Sequence, residues 1–284
     1  MGSMEISHVS QFIQFVEDAN SKYRRNQHFI YRGESKNKYR LLPSIFRKTD
    51  GANGTDIYPS KNAEIKILTE FMTEAAGLIN NLSVDDLFRW VEYAQHFGSP
   101  TRLMDWTSNP LVALYFACSA NQKEDGRIYI LNSLGYHLLT GEKNVNQMDC
   151  KIIKEEARKM IWDKEYTFPY PVLFQPHYFD KRMFAQSSKF MVWGYKKDPL
   201  DDLIIELEAD GKKKAITKYL DPCGVEIECE EEIEILTEIQ IKGENKVQLQ
   251  RELDNIGINQ ATLFPGLDGI GRSIEWRNNS NNTR

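Results

Sequence analysis

Apolar residues along the chain recur at two periods, three to four residues in some stretches and two in others, and the change of period marks the elements. Phe12, Ile13, Val16, Ala19 and Tyr23 predict an amphipathic helix from about Ser10 to Tyr23. Ile65, Leu68, Met72, Ala75, Ala76 and Ile79 predict a second over about Asn62 to Asn80, after a loop from Asp50 to Ser60. Leu87, Trp90, Val91, Ala94 and Phe97 stripe a third, with Ser83 and Asp86 resembling a capping box and Gly98-Ser99-Pro100 ending it. The fourth opens on Asn109 as cap and Pro110 in its first turn, then runs apolar almost all round through Ala117, which predicts a buried helix.

Short strands are expected near His28 to Tyr31, Arg127 to Leu131, Lys189 to Trp193, Leu203 to Leu207 and Leu236 to Ile241. A helical stretch is expected around Met148 to Asp163, and helices near Asn245 to Asn255 and over Ile270 and Ile274 close the chain. Helices and strands intermingle without a regular βαβ rhythm, which favours α+β over a doubly wound sheet. Glu226, Glu228 and Glu230 alternate with Ile227 and Cys229, the pattern of a solvated sheet face or of a dock for a basic protein partner.

Composition narrows the function classes. The 284 residues carry 36 Lys+Arg against 41 Asp+Glu, a net charge of −5, with 41% apolar residues. Mean hydropathy is −0.53. This is a globular composition, and its charge argues against a surface given over to nucleic acid. Arg24, Arg25, Arg40 and Arg47 are read as a solvated face in preference to a nucleic-acid site. Cys118, Cys150, Cys223 and Cys229 form no Cys-x-x-Cys pair, and the five histidines lack ligand spacing, so no metal is expected. With no run of 18 apolar residues and no signal segment, a cytoplasmic protein without a membrane span is expected. Met1 to Ser3 resemble a vector remnant, so the module is counted from Met4.

Phosphate-binding Gly-rich loops, zinc-protease helices and the Gly-x-Ser-x-Gly elbow are all missing from the sequence. The candidate chemistry lies instead in the polar segment Gln95 to Pro110, read as a loop between two buried helices. It holds His96, Thr101, Arg102, Asp105, Trp106 and Thr107. Two readings stand: an Arg102–Asp105 ion pair with Trp106 plugging the core, or a pocket that meets an anionic ligand. Tyr31-Arg32-Gly33-Glu34 is the second candidate, since a guanidinium grips phosphate and a glycine beside it lets a ligand approach the backbone. The third is Arg182 to Phe190, in which Gln186 precedes a strand and presents its amide at the strand end.

Together these blocks resemble the FRG domain family, named for a Phe-or-Tyr, Arg, Gly step that stands here as Tyr31-Arg32-Gly33. Leu42-Pro43-Ser44-Ile45-Phe46-Arg47, the long Gln95 to Ala117 block, Arg182 to Phe190 and Leu263 to Gly269 carry the rest of the resemblance. It implies a single module over 4–284, with a helical insert at 136–180, an acidic β-rich insert at 195–235 and a disordered tail at 278–284. The family is met in bacterial and phage proteins, which suggests a defence effector. A more distant similarity is to ADP-ribosyltransferases of the arginine, serine-threonine, glutamate type. Arg32, then Asp105-Trp106-Thr107-Ser108 leading into an apolar helix, then Gln186 follow the same order.

That similarity implies a split mixed sheet flanked by helices, with NAD or a related nucleotide as ligand and substrate. Arg32, Asp105 and Gln186 would be catalytic. Tyr31, Arg32, Gly33, His96, Thr101, Arg102, Trp106, Thr107 and Arg182 would bind the nucleotide. Gln186 stands where a glutamate is expected, so the resemblance leaves two functions: metal-independent ADP-ribose transfer or hydrolysis, and non-catalytic recognition of a nucleotide or partner.

Overall fold

The structure, a computed structural model, describes residues 5–21, 29–36, 40–47, 49–50, 56–57, 62–79, 82–141, 150–209, 218–220, 226–228 and 234–279. In chain order, α1 (Val9–Ser21), β1 (Phe29–Glu34), β2 (Thr49–Asp50), β3 (Asp56–Ile57), α2 (Ala63–Ala75) and α3 (Leu87–His96) come first. They are followed by β4 (Leu103–Thr107), α4 (Pro110–Cys118), β5 (Gly126–Asn132), α5 (Ser133–Thr140), α6 (Cys150–Arg158), β6 (Val172–Phe174), α7 (Lys181–Ala185) and β7 (Ser188–Val192). The chain continues through α8 (Leu200–Ala209), β8 (Lys218–Leu220), β9 (Glu226–Glu228), β10 (Leu236–Ile241), α9 (Lys246–Asn255), α10 (Gln260–Leu263) and α11 (Leu267–Asn278).

The fold is a mixed α and β arrangement built on one six-stranded sheet in the order β10-β5-β1-β4-β7-β6. Every pairing in it is antiparallel, which corrects the expectation of a mixed sheet. Its pairing is uneven. β1 matches β5 over six positions, Phe29↔Asn132 to Glu34↔Arg127, and β4 matches β7 over five, Leu103↔Val192 to Thr107↔Ser188. Between β1 and β4 only Tyr31↔Thr107 pairs, so the sheet parts along this seam.

Side-chain alternation sorts the core by face. On the front, Tyr31, Ile128, Ile130, Ile239 and Ile241 pack with α1, α4 and α9. Leu103, Phe190, Val192, Val172 and Phe174, also at the front, pack with α2, α3 and α6. On the back, Ile30, Met104, Trp106, Tyr129, Leu131 and Met191 form one core with α5 and α8 across both halves. The two front helix groups therefore stand apart over the seam.

α4 explains the glycine of the Tyr-Arg-Gly step. Its residues are apolar on every side because it is enclosed, and Asn109 Oδ1 caps it by accepting from the Leu111 amide at 3.0 Å. A Cβ added at Gly33 would lie 1.8 Å from the Ala113 carbonyl oxygen and 2.8 Å from the Ala117 nitrogen. The close approach that needs the glycine is that of α4, where a ligand was expected. Lys246 ties the same region from α9: its enclosed Nζ donates to the carbonyls of Ser35 at 2.6 Å and of Ala120 and Asn121 at 3.2 Å.

Three further expectations change. Gln95 to Pro110 is no loop, for Leu103–Thr107 is strand β4 in the middle of the sheet. The Leu203 to Leu207 run is helix α8, with Leu200, Leu203, Ile204 and Leu207 buried and Ile205 exposed, a three-to-four-residue period hidden by a short apolar run. Ser83 makes no capping box, since α3 starts at Leu87 with no side-chain cap and the Ser83 carbonyl accepts instead from Trp90 Nε1. α6 continues into a wider turn over Lys159–Asp163, in line with the expected helical stretch. β8 and β9 form a separate antiparallel pair within the expected acidic segment; Glu230, Arg24, Arg25 and residues 280–284 lie outside the described residues.

Candidate functional site

A cavity of about 380 Å³ occupies the seam between the two front helix groups. β1 supplies Tyr31, Arg32 and Gly33 to its walls, and β4 supplies Asp105, Trp106 and Thr107. His96 comes from the end of α3, Arg182 from α7, and Gln186 from the turn into β7. Residues far apart in sequence meet here because β1 and β4 diverge. Thr101 and Arg102, also named from the sequence, do not line the cavity.

Arg32 points to the back of the sheet and bridges the seam. Its Nη1 donates at 2.6 Å to the Asp105 carbonyl, a strand group that β1 would otherwise satisfy in a continuous ladder. Its Nε and Nη2 both lie 3.2 Å from Glu34 Oε1, so the guanidinium has a carboxylate partner two residues along its own strand. Arg47 Nη2 stands 3.9 Å from the same oxygen, and Arg47 Nε donates to the Leu42 carbonyl. Arg40 is clasped by Asp201 and Asp202. These two arginines of the suggested nucleic-acid face are thus engaged within the protein.

Asp105 is aimed from below. Gln95 Nε2 donates to its Oδ2 at 2.6 Å, and Thr101 Oγ1 donates to Gln95 Oε1 at 2.6 Å while accepting from the Leu103 amide. Thr101 thus orients Gln95, and Gln95 orients Asp105. The turn that brings these groups together passes through Gly98 at φ +86°, a left-handed value that favours glycine. Gln95 was not singled out from the sequence. Its signal was a side-chain amide and a hydroxyl six residues apart across a Gly-Ser-Pro turn.

Arg102 is engaged elsewhere. It makes a two-pronged ion pair with Glu64 of α2, Nε to Oε1 at 2.8 Å and Nη2 to Oε2 at 2.6 Å, and its Nη1 donates to the Trp193 carbonyl. This pair stands in place of the Arg102–Asp105 pair of the first reading. Trp106 does fill the back core, at 3% exposure, yet its ring nitrogen remains without a partner. Thr107 Oγ1 donates to the Gln186 carbonyl at 2.7 Å and accepts from the Asn109 amide, joining the end of β4 to the α7–β7 turn. Gln186 Nε2 donates to the Leu263 carbonyl at 3.0 Å.

Arg182 differs from Arg32. Among the described residues no carboxylate lies within ion-pair distance of it, its Nε is buried without a hydrogen-bond partner, and its guanidinium sits 4.8 Å over the Phe264 ring. Beside it His96 has Nε2 3.4 Å from Asp180 Oδ2, too poorly aligned for a hydrogen bond. Burial first, and then the Arg182 charge, hold the His96 pKa below its ordinary value. Burial pushes the Tyr31 hydroxyl up to about 12. The unpaired nitrogens of His96 and Arg182 therefore belong to side chains of one cavity, whereas Trp106 carries its own into the back core. No group of three His, Cys, Asp or Glu among the described residues could hold a metal ion, and no described helix is long and apolar enough to cross a membrane.

An arginine strand and a carboxylate strand facing one another across a parted antiparallel sheet, with a buried helix packed on a glycine, define the site. The chain contains an FRG domain: the family's sequence profile matches residues 27–126. That span carries the Tyr31, Arg32, Gly33, His96, Asp105, Trp106 and Thr107 walls, while Arg182 and Gln186 lie outside it. No curated protein and no solved structure matches the chain.

Proposed function

We propose that the cavity binds NAD or a related nucleotide, with the phosphates at Arg182 and the nicotinamide ribose facing Asp105. The carrying observation is the Arg182 guanidinium, which has no carboxylate within ion-pair distance among the described residues and whose Nε has no acceptor. Buried donors left unpaired are costly, and a pyrophosphate supplies acceptors that make charge-assisted bonds with a guanidinium. Arg182 takes the phosphate role that the resemblance gave to Arg32, because Glu34 already holds Arg32. The seam between β1 and β4, with α4 following directly on Thr107, supports an ADP-ribosyltransferase-like reading of the sheet.

As a hydrolase the site would break the bond between nicotinamide and ribose C1′, with the electron pair leaving on nicotinamide. Water would bond to C1′ and release a proton. Asp105, aimed by Gln95, would offset the cationic character of C1′. Calorimetry with NAD tests binding: Arg182→Ala should weaken it about tenfold or more, the loss of a bond to a charged group worth about 1.5–3 kcal/mol. Equal affinity for both proteins, or no binding at millimolar NAD, would sink the reading.

A second reading, nucleotide recognition without turnover, is favoured by one observation. Gln186, at the position expected to serve the ribose, spends its amide on the Leu263 carbonyl. Free nicotinamide produced by the wild type and absent with Asp105→Asn would establish the enzyme. NAD binding without nicotinamide would establish the recognition module.

A further inference from the structure

α11 closes one side of a second cavity, about 400 Å³, whose walls include Tyr115 of α4 and Gln260 of α10. α4 thus contributes Tyr115 here and Phe116 to the first cavity. The helix turns the small side of its sequence inward. Gly269 and Ser273, four residues apart, are buried, and a Cβ added at Gly269 would lie 1.9 Å from the Phe264 carbonyl oxygen. Arg277 ties the end of α11 to α9 through Asp254 at 2.7 Å. The large aliphatic residues face water instead, with Leu267 90% exposed, Ile270 47% and Ile274 54%. Steps of three and four put these three on one face, the reverse of the arrangement that holds a helix on a globular core.

Gly271 shares that face. Glycine is the costliest residue inside a helix after proline, and unlike Gly269 this one has no neighbour that demands it, since a Cβ there would meet nothing within 4 Å. A backbone approaching from outside the chain accounts for it. The stripe is also its own complement. Leu267 and Ile274 stand equally far from a point between Ile270 and Gly271, so a second α11 laid antiparallel sets each Leu267 against an Ile274 and each Ile270 against a Gly271. Ser280 to Arg284, which follow the helix, include no apolar side chain to cover the stripe. The three aliphatic residues expose roughly 400 Å² per copy, the size of patch that marks a contact surface. Two such faces with their polar borders bury about 1,000 Å², the lower limit for a specific interface and the scale of a reversible dimer. We infer that α11 is a self-association surface on which two copies of this chain pair antiparallel across Leu267, Ile270, Gly271 and Ile274.

The test is sedimentation equilibrium of the full chain. Between about 10 and 500 µM protein, where weak contacts dissociate, the mean mass should climb from 33.0 kDa toward twice that value. Ile274→Glu, which puts a charge at the centre of the stripe, should remain a monomer throughout. Gly271→Ala separates close packing from general stickiness. It should weaken pairing about tenfold or more, because a methyl group enters the line of closest approach, while raising the unfolding temperature as the better helix former. A wild-type monomer at every concentration would overturn the inference, and is the result expected if α11 serves a different protein. Pairing undiminished in Ile274→Glu would overturn it by placing the contact elsewhere, and pairing undiminished in Gly271→Ala would do so by removing the close approach. Both substitutions fall at exposed positions, so the comparison does not depend on a perturbed core.

Discussion

Single residues at the first cavity divide into those already satisfied and those left open. Arg32, Thr107, Gln186 and Asp105 have partners, and each of those bonds ties two separate segments of the fold together. Arg182 and His96 retain unpaired nitrogens. His96 gives this a pH signature. Burial and Arg182 lower its folded pKa, whereas Asp180 and Asp105 pull the other way with less effect. An unfolded imidazole titrates near 6.5. Between that value and the lower folded one the unfolded chain binds more protons, so stability is full above about pH 6.5 and declines as pH falls through the folded value. Urea midpoints followed from neutral to acid pH should show a steeper loss in wild type than in His96→Gln. His137 and His177 are lowered as well and remain in both proteins, so the difference belongs to His96. Parallel pH profiles would contradict the assignment.

At the level of elements, the contact of α4 with β1 organises the front of the sheet. Ala113 and Ala117 present backbone to backbone at Gly33, a spacing that no side chain fits. Gly33→Ala should therefore destabilise the fold by about 3 kcal/mol, at the upper end for overpacking, because the obstruction is a carbonyl oxygen that cannot swing away. Denaturant unfolding measures this directly, and a loss within about 0.5 kcal/mol, the size of a neutral surface change, would mean that α4 shifts freely. The same packing leaves Val112 and Phe116 as cavity wall. The element that gives the family step its glycine thus also shapes the site.

Over the whole molecule, the two cavities share α4, and the short α10 segment lies in the wall of one and is bonded to a residue of the other. Gln260, at one end of α10, receives the Tyr115 hydroxyl in the second cavity, and Leu263, at the other, receives the Gln186 amide from the first. Phe264 then lies under Arg182 and edge-on to Phe116, ring centroids 6.2 Å apart. Phe264→Ala removes both contacts, so a stability loss of about 2 kcal/mol is expected, from one cation–ring and one ring–ring interaction. Faster amide exchange across α10 should accompany it. Unchanged exchange there would show that the segment is held by its backbone alone.

Most helices were legible because an amphipathic face leaves a periodic record along the chain: α1, α2 and α9 follow their apolar stripes, while α4 was legible as a run apolar on every side that Asn109 caps where its type predicts. β4 and α8 were not, since a strand of polar and apolar residues in a dense motif and a three-residue apolar run carry no clear period. For the site, the residues of β1, β4 and α7 could be named from the sequence alone, because their types suit anionic ligands. Which arginine stays open could not. Arg32 meets Glu34, Arg102 meets Glu64, and Arg182 meets a phenyl ring. The sequence determined that guanidinium groups would gather around the Tyr-Arg-Gly step and its polar partner block. Only the tertiary structure decided their roles, because a charge is spent or free according to which carboxylates folding brings within about 4 Å, a distance at which desolvated charges interact strongly.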